Sequence, residues 1–261
     1  MMKKFTVILF MALAIFVNGV TAAAKDYCFC MGLSKCNVAG LPDISSAQYD
    51  AIDFKNALTK QGFKGSVIVN QYATRENILK RVKNVVAAAK NPNDKIVLFF
   101  ATHGDPDGFL YTYGGGAVYY KEIIDILAKS KTKHIYVIIM ACFSGTSVSR
   151  GLTSDPNWSD NATKRGITFI VSCRSTETSK SIKNTSDLVN PTRHSVFGNA
   201  LIKGYRGQAD RNGDRKITIM ELFKFIYNEV TTRMDFDDPD MYQHPQLIGP
   251  SSEHNTVISK W

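Results

Sequence analysis

Lys95-Ile96-Val97-Leu98-Phe99-Phe100-Ala101-Thr102-His103-Gly104 carries an apolar run that ends on a histidine and a glycine. Ile135-Tyr136-Val137-Ile138-Ile139-Met140-Ala141-Cys142-Phe143-Ser144-Gly145 carries a second, ending on a cysteine and a glycine. Apolar runs of this length, rich in branched and aromatic residues, suit strands buried on both faces, as in parallel sheets. In open α/β sheets, ligands and chemistry collect outside the carboxyl ends of the strands. His103 and Cys142 fall there on this reading.

The pattern continues in both directions. The reading places strands over 26–33, 67–69, 94–101, 134–141 and 166–172, with helices over 47–61, from Thr74 through Val86, and over 119–128. Helical spacing in the first helix runs through Ala51, Phe54, Ala57 and Leu58 to a stop at Gly62. Alternating strands and helices predict an α/β protein with three α/β/α layers and a mainly parallel central sheet. From 172 to 194 the pattern dissolves into polar residues, read as a surface loop. Helices follow over 195–205 and 219–232, and a tail from 235 to 261 is acidic at first and then punctuated by proline.

The first 24 residues read as an export signal: Lys3 and Lys4, an apolar stretch over 5–20, and the small-residue exit Ala22-Ala23-Ala24. Cleavage after Ala24 leaves one domain over 25–261. The apolar stretch is shorter than the roughly 20 residues of a membrane span, so no spanning segment is expected. Localisation is expected to be exported: secreted or periplasmic, or lysosomal or vacuolar in a eukaryote. Lys plus Arg exceed Asp plus Glu by nine, and by seven once Lys3 and Lys4 are removed. These basic residues are scattered, which argues for a solvated surface and against a nucleic-acid partner.

The chain has five cysteines, an odd number that leaves at least one thiol unpaired within an exported monomer. Cys28, Cys30 and Cys36 are open to a disulfide among them or to plain burial. Cys142 is the candidate nucleophile. A thiol becomes reactive on ionisation, and a neighbouring imidazole supplies the base, so His103 is its natural partner. Gly104 admits close backbone approach and offers an N–H. Cys173 is the competing thiol, and His194 the reserve base.

The His-Gly pair closing one strand and the Ala-Cys-x-Ser-Gly string closing another, 39 residues apart and in that order, resemble the caspase, metacaspase and legumain-like cysteine peptidases. His103 to Leu110 is similar to the legumain version. The likeness extends to 26–32, to Tyr49-Asp50-Ala51, to 172–179, and to 195–207, 209–222 and Gln243-His244-Pro245, which resemble bacterial caspase-like domains. The resemblance implies a caspase-like fold, His103 as general base, Cys142 as nucleophile, and the N–H groups of Gly104 and Cys142 as oxyanion donors. It implies a peptide or protein substrate, an acyl-enzyme, and no metal in the chemical step.

By the same resemblance Met140, Ser172, Ser175, Glu177 and Lys35 are the candidate substrate-binding residues. Met140 and Ser175 stand where relatives with basic specificity carry acids, so neither a basic nor an acidic substrate side chain is singled out. Asp210, Asn212, Asp214, Thr218 and Glu221 follow most of a calcium-binding EF-hand loop, with Arg215 where glycine is wanted. Calcium is therefore one reading of 210–221, and a turn capping the next helix is the favoured other. Asn157, Asn161 and Asn184 fit glycosylation acceptor patterns. The rival functions are an inactive caspase-like peptide-binding protein and a calcium-binding structural module. The sequence is silent on oligomeric state.

Overall fold

The strand over Asp26–Gly32, β1, shows why the apolar runs carry no alternation. Successive side chains point to opposite faces of a strand. Cys28 and Cys30 enter one apolar cluster, Phe29 and Met31 the other, and all four are fully buried. Both faces are covered from Cys28 onward, so Cys28 to Met31 are all apolar.

The computed structural model describes residues 23–145, 166–179, 193–233 and 242–261. After β1 come α1 (Ala47–Lys60), β2 (Lys64–Val69), α2 (Arg75–Ala88) and β3 (Lys95–Ala101). A hairpin of β4 (Phe109–Tyr111) and β5 (Ala117–Tyr119) leads into α3 (Tyr120–Leu127), β6 (His134–Met140) and β7 (Ile167–Val171). Then follow α4 (Val196–Lys203), β8 (Lys216–Thr218), α5 (Ile219–Thr231), β9 (Gln246–Ile248) and β10 (Val257–Lys260). Thr74 caps α2 by accepting from the Asn77 N–H.

Six strands form the main sheet in the order β2-β1-β3-β6-β7-β9. The first five are parallel, and β9 runs antiparallel to β7. Helices α1, α4 and α5 pack one face and α2 and α3 the other, giving three layers. Chain order reverses between β1 and β3. At such a switch point the loops leave in opposite directions and open a crevice at the carboxyl edge. Residues 102–104 and 141–145 emerge at that edge.

Several elements were not legible beforehand. The β4–β5 hairpin, β8, β9 and β10 are three or four residues long and carry no readable period. The helix expected over 195–205 stops at Lys203 and continues as a π-type turn over Gly204–Gln208. Gly207 sits there at φ 122°, and a Cβ on it would lie 2.9 Å from the Trp261 ring. The disulfide reading fails: all five cysteines are free thiols, and Cys36 lies in the apolar cluster opposite that of Cys28 and Cys30. Cys36 lies in the loop after β1 and packs on the other face of the sheet. Among the described residues no helix is long and apolar enough to cross a membrane. Residues 1–22 of the export signal expected over 1–24, and the three glycosylation patterns, lie outside the described residues.

Candidate active site

Beyond Ala101, β3 keeps one more ladder bond to β6, from the Thr102 N–H to the Met140 carbonyl at 3.1 Å. The chain then turns away, and the hairpin fixes the turn. The Tyr111 N–H donates to the His103 carbonyl at 3.0 Å, the Asp105 N–H donates to the Phe109 carbonyl at 3.1 Å, and the Thr102 hydroxyl donates to the Tyr111 carbonyl at 3.0 Å. The two backbone bonds flank Gly104 and leave its own N–H out of the ladder.

The His103 ring has a defined partner. Its Nε2 lies 2.7 Å from the carbonyl oxygen of Pro42, in the loop after β1. A carbonyl only accepts, so Nε2 carries the proton. In the neutral ring Nδ1 then holds the lone pair, and the imidazole is set up as a base through that nitrogen.

Gly104 places the histidine loop against the cysteine loop. A Cβ at Gly104 would fall 2.2 Å from the Cys142 carbonyl oxygen and 3.1 Å from the Ala141 Cβ. Backbone meets backbone at this point, and only glycine fits. The turn carrying Cys142 is held from its other side by residues after β7. The Ala141 N–H donates to Ser172 Oγ at 3.2 Å, and the Phe143 N–H donates to the Glu177 carbonyl at 2.9 Å. Ser144 Oγ accepts from the Cys173 N–H at 3.2 Å. Phe143 adopts a left-handed φ of 53°. That conformation costs a non-glycine residue about 1–2 kcal/mol and persists where surrounding contacts over-determine it.

Residues 26–255 match the model of the caspase domain. The chain belongs to the caspase-domain family. Among proteins of curated function, none matches the sequence significantly. Solved structures share the fold at low identity. A Geobacter sulfurreducens protein is 16% identical with a TM-score of 0.62, over 90% of this chain and 99% of that one. Caspase-1 from Spodoptera frugiperda is 18% identical with a TM-score of 0.59, over 91% of this chain and 90% of its own.

The competing groups in this caspase domain are occupied. Burial pushes the Cys173 thiol up to about 11, and its Sγ lies 3.3 Å from the carbonyls of Ala141 and Glu177. Both nitrogens of His194 face carboxylates, Nδ1 at 2.8 Å from Asp50 and Nε2 at 3.3 Å from Asp53. Of the five cysteines, Cys142 is the one that is not buried.

The candidate substrate-binding residues divide. Ser172, Ser175 and Glu177 gather beside the Cys142 turn; a Cβ at Gly145 would lie 2.5 Å from the Ser175 nitrogen. Met140 is buried and belongs to the cluster facing α1 and α4. Ser172 is fully buried and committed to Ala141. Glu177 accepts from the His244 N–H at 2.7 Å and from the Arg174 N–H at 3.1 Å, and its other oxygen meets His244 Nδ1 at 2.6 Å. Its carboxylate thus ties 174–177 to the segment before β9. Lys35 is not brought to this group; with Asn37, Asp43, Gln48, Asn70 and Tyr113 it lines a depression of about 550 Å³.

The loop over 210–221 forms a capped turn. Asp210 accepts from the N–H groups of Gly213 and Arg215 at 2.8 and 2.9 Å, and Asp214 accepts from the Lys216 N–H at 2.9 Å. Asn212 accepts from the Asp214 N–H at 2.8 Å, while Thr218 and Glu221 make the capping box of α5. Asn212 Nδ2 also donates to Glu221 Oε1 at 3.1 Å, so hydrogen bonds within the loop hold its shape. Among the described residues no group of three or more His, Cys, Asp or Glu side chains is arranged to hold a metal ion. Sequence reasoning missed Pro42, whose contribution is a carbonyl and leaves no side-chain signal.

Proposed function

We propose that this caspase-domain protein is a cysteine endopeptidase with Cys142 as nucleophile and His103 as general base. The observation that carries the proposal is the packing of Gly104 on the Cys142 carbonyl, with His103 held on its far side by Pro42. His103 Nδ1 takes the Sγ proton as sulfur attacks the substrate carbonyl. The N–H groups of Gly104 and Cys142 receive the developing oxyanion. His103 then gives the proton to the leaving amine, and the C–N bond breaks to leave a thioester on Cys142. Water, deprotonated by His103, hydrolyses the thioester and restores the thiol. No metal enters the sequence of steps.

The leader over 1–24 supports export of the mature chain, and N-terminal sequencing of exported protein is expected to read Lys25 first. The test of the chemistry is hydrolysis of a mixed peptide library. Cys142→Ala is expected to abolish turnover, and His103→Ala to lower kcat/KM by about 10²–10⁴-fold, with circular dichroism unchanged. Turnover surviving in Cys142→Ala would reject the nucleophile. A wild-type chain that binds peptides and cleaves none would be the inactive peptide-binding relative.

A further inference from the structure

The hairpin that fixes His103 carries an unusual outer face. Its register pairs Phe109 with Tyr119, Leu110 with Val118 and Tyr111 with Ala117. Leu110 and Val118 point inward and are fully buried. The opposite face of a two-stranded hairpin ordinarily meets water and is polar. Here it carries Tyr111, Phe109 and Tyr119, with Tyr119 47% exposed.

These rings form a continuous row that starts at the candidate base. His103 and Tyr111 meet edge to face with centroids 6.4 Å apart, Tyr111 and Phe109 at 5.0 Å, and Phe109 and Tyr119 at 5.5 Å. Each contact is T-shaped, which leaves ring faces and edges for a further apolar group. Residues 172–177 flank the Cys142 turn from the β7 side.

Chemistry assigns the occupant. In acyl transfer the base that accepts the nucleophile's proton returns it to the leaving amine, so the leaving amine must lie beside that base. The residues after the scissile bond therefore depart past His103, and the first surface they meet on the hairpin is this aromatic row. Resting on the peptidase reading above, we propose that Tyr111, Phe109 and Tyr119 form the docking surface for the leaving-group side of the substrate, selecting a bulky apolar or aromatic side chain there.

Two measurements test this. In the first, the wild-type chain digests a mixed peptide library and the residues flanking each cut are read by mass spectrometry. Phe, Tyr, Leu and Met are expected just after the cut about tenfold over Gly and Ser, a discrimination typical of an apolar pocket. Tyr119→Ser, at an exposed position, is expected to flatten that preference while leaving the profile before the cut in place; Phe109→Ser removes the middle ring and should do the same. Wild-type cuts with no such enrichment, or enrichment untouched in Tyr119→Ser, overturn the proposal.

The second measurement needs no catalysis. The Cys142→Ala chain is titrated with the amides of Phe-Ala-Ala and Gly-Ala-Ala, following the tyrosine ring resonances. Stronger binding of the Phe peptide, lost in the Cys142→Ala, Tyr119→Ser double variant, supports the docking surface even if the wild type cleaves nothing, in which case only the peptidase reading falls. Equal binding of the two peptides overturns it. A wild-type chain that self-associates through this face, with Tyr119→Ser monomeric and its cleavage profile unchanged, also overturns it and assigns the rings to a second copy.

Discussion

Burial sorts the five thiols of this chain. Cys28, Cys30 and Cys173 are fully enclosed and Cys36 is 1% exposed, whereas Cys142 reaches the surface. Desolvation disfavours the thiolate. It lifts Cys28 and Cys173 to about 11, so both stay protonated until the pH passes well above 9. The thiolate is the form that alkylates. Iodoacetamide at pH 8 is expected to label Cys142 alone in the folded chain and all five in denaturant, as read by peptide mapping; labelling of Cys173 at a matching rate would contradict the assignment. A second residue-scale expectation concerns Asp94, which is 3% exposed and accepts from the backbone nitrogen of Lys25 at 2.7 Å and of Asn91 at 3.0 Å. Cleavage after Ala24 would turn the Lys25 nitrogen into an ammonium and that contact into a charge-assisted one, worth about 1.5–3 kcal/mol. A chain starting at Lys25 should melt higher than one with 22–24 retained, and Asp94→Asn should erase the difference.

Among elements, the seam between α1 and α4 encloses a carboxylate. Asp50 is fully buried in α1, with its carboxylate shared by His194 Nδ1 and the Ser195 N–H at the head of α4. Asp53 holds Arg193 at 2.7 Å, and the guanidinium of Arg193 lies 4.7 Å from the Tyr49 ring. Burial raises the Asp50 carboxyl above its ordinary 3.8, against the bonds from His194 and Ser195 that pull it down. A raised carboxyl holds its proton longer in the folded chain, so its stabilising effect is complete below 3.8 and fades as the pH climbs through the folded value. Asp50→Asn keeps an oxygen for Ser195 and loses the titration. The Tm of wild type minus that of the variant is expected to fall between pH 3.8 and neutrality, and a difference flat with pH would show that Asp50 titrates as it does unfolded. Gly198→Ala would put a Cβ 2.3 Å from the Asp50 carboxyl carbon. The clash should outweigh the roughly 1 kcal/mol gain in helix propensity and destabilise the chain, by about 1–2 kcal/mol net.

At the scale of the whole molecule, the two apolar clusters lie back to back on the same strands. Phe99 and Phe100 are neighbours in β3, yet Phe99 packs against Phe54 of α1 on one face and Phe100 against Phe29 within the cluster of the other. Melting one cluster strips a face from every central strand and exposes the other. Near- and far-ultraviolet circular dichroism should therefore report one coincident thermal transition. Two separated transitions would mean that the layers fold independently.

The sequence by itself determined the long elements and the places of the two candidate catalytic residues. Strands such as β3 and β6 announce themselves because both faces are buried and the apolar run is unbroken, and His103 and Cys142 stand where those runs stop. Contacts between residues far apart in the chain were left to the tertiary structure, since they depend on strand order and register that no local pattern encodes. The carbonyl of Pro42 reaches His103 because the loop after β1 lies beside the end of β3. Glu177 turns to His244 because β9 closes the sheet in the antiparallel sense. The aromatic row beside His103 arises from a hairpin whose strands, three residues each, are too short to show a period until they are paired.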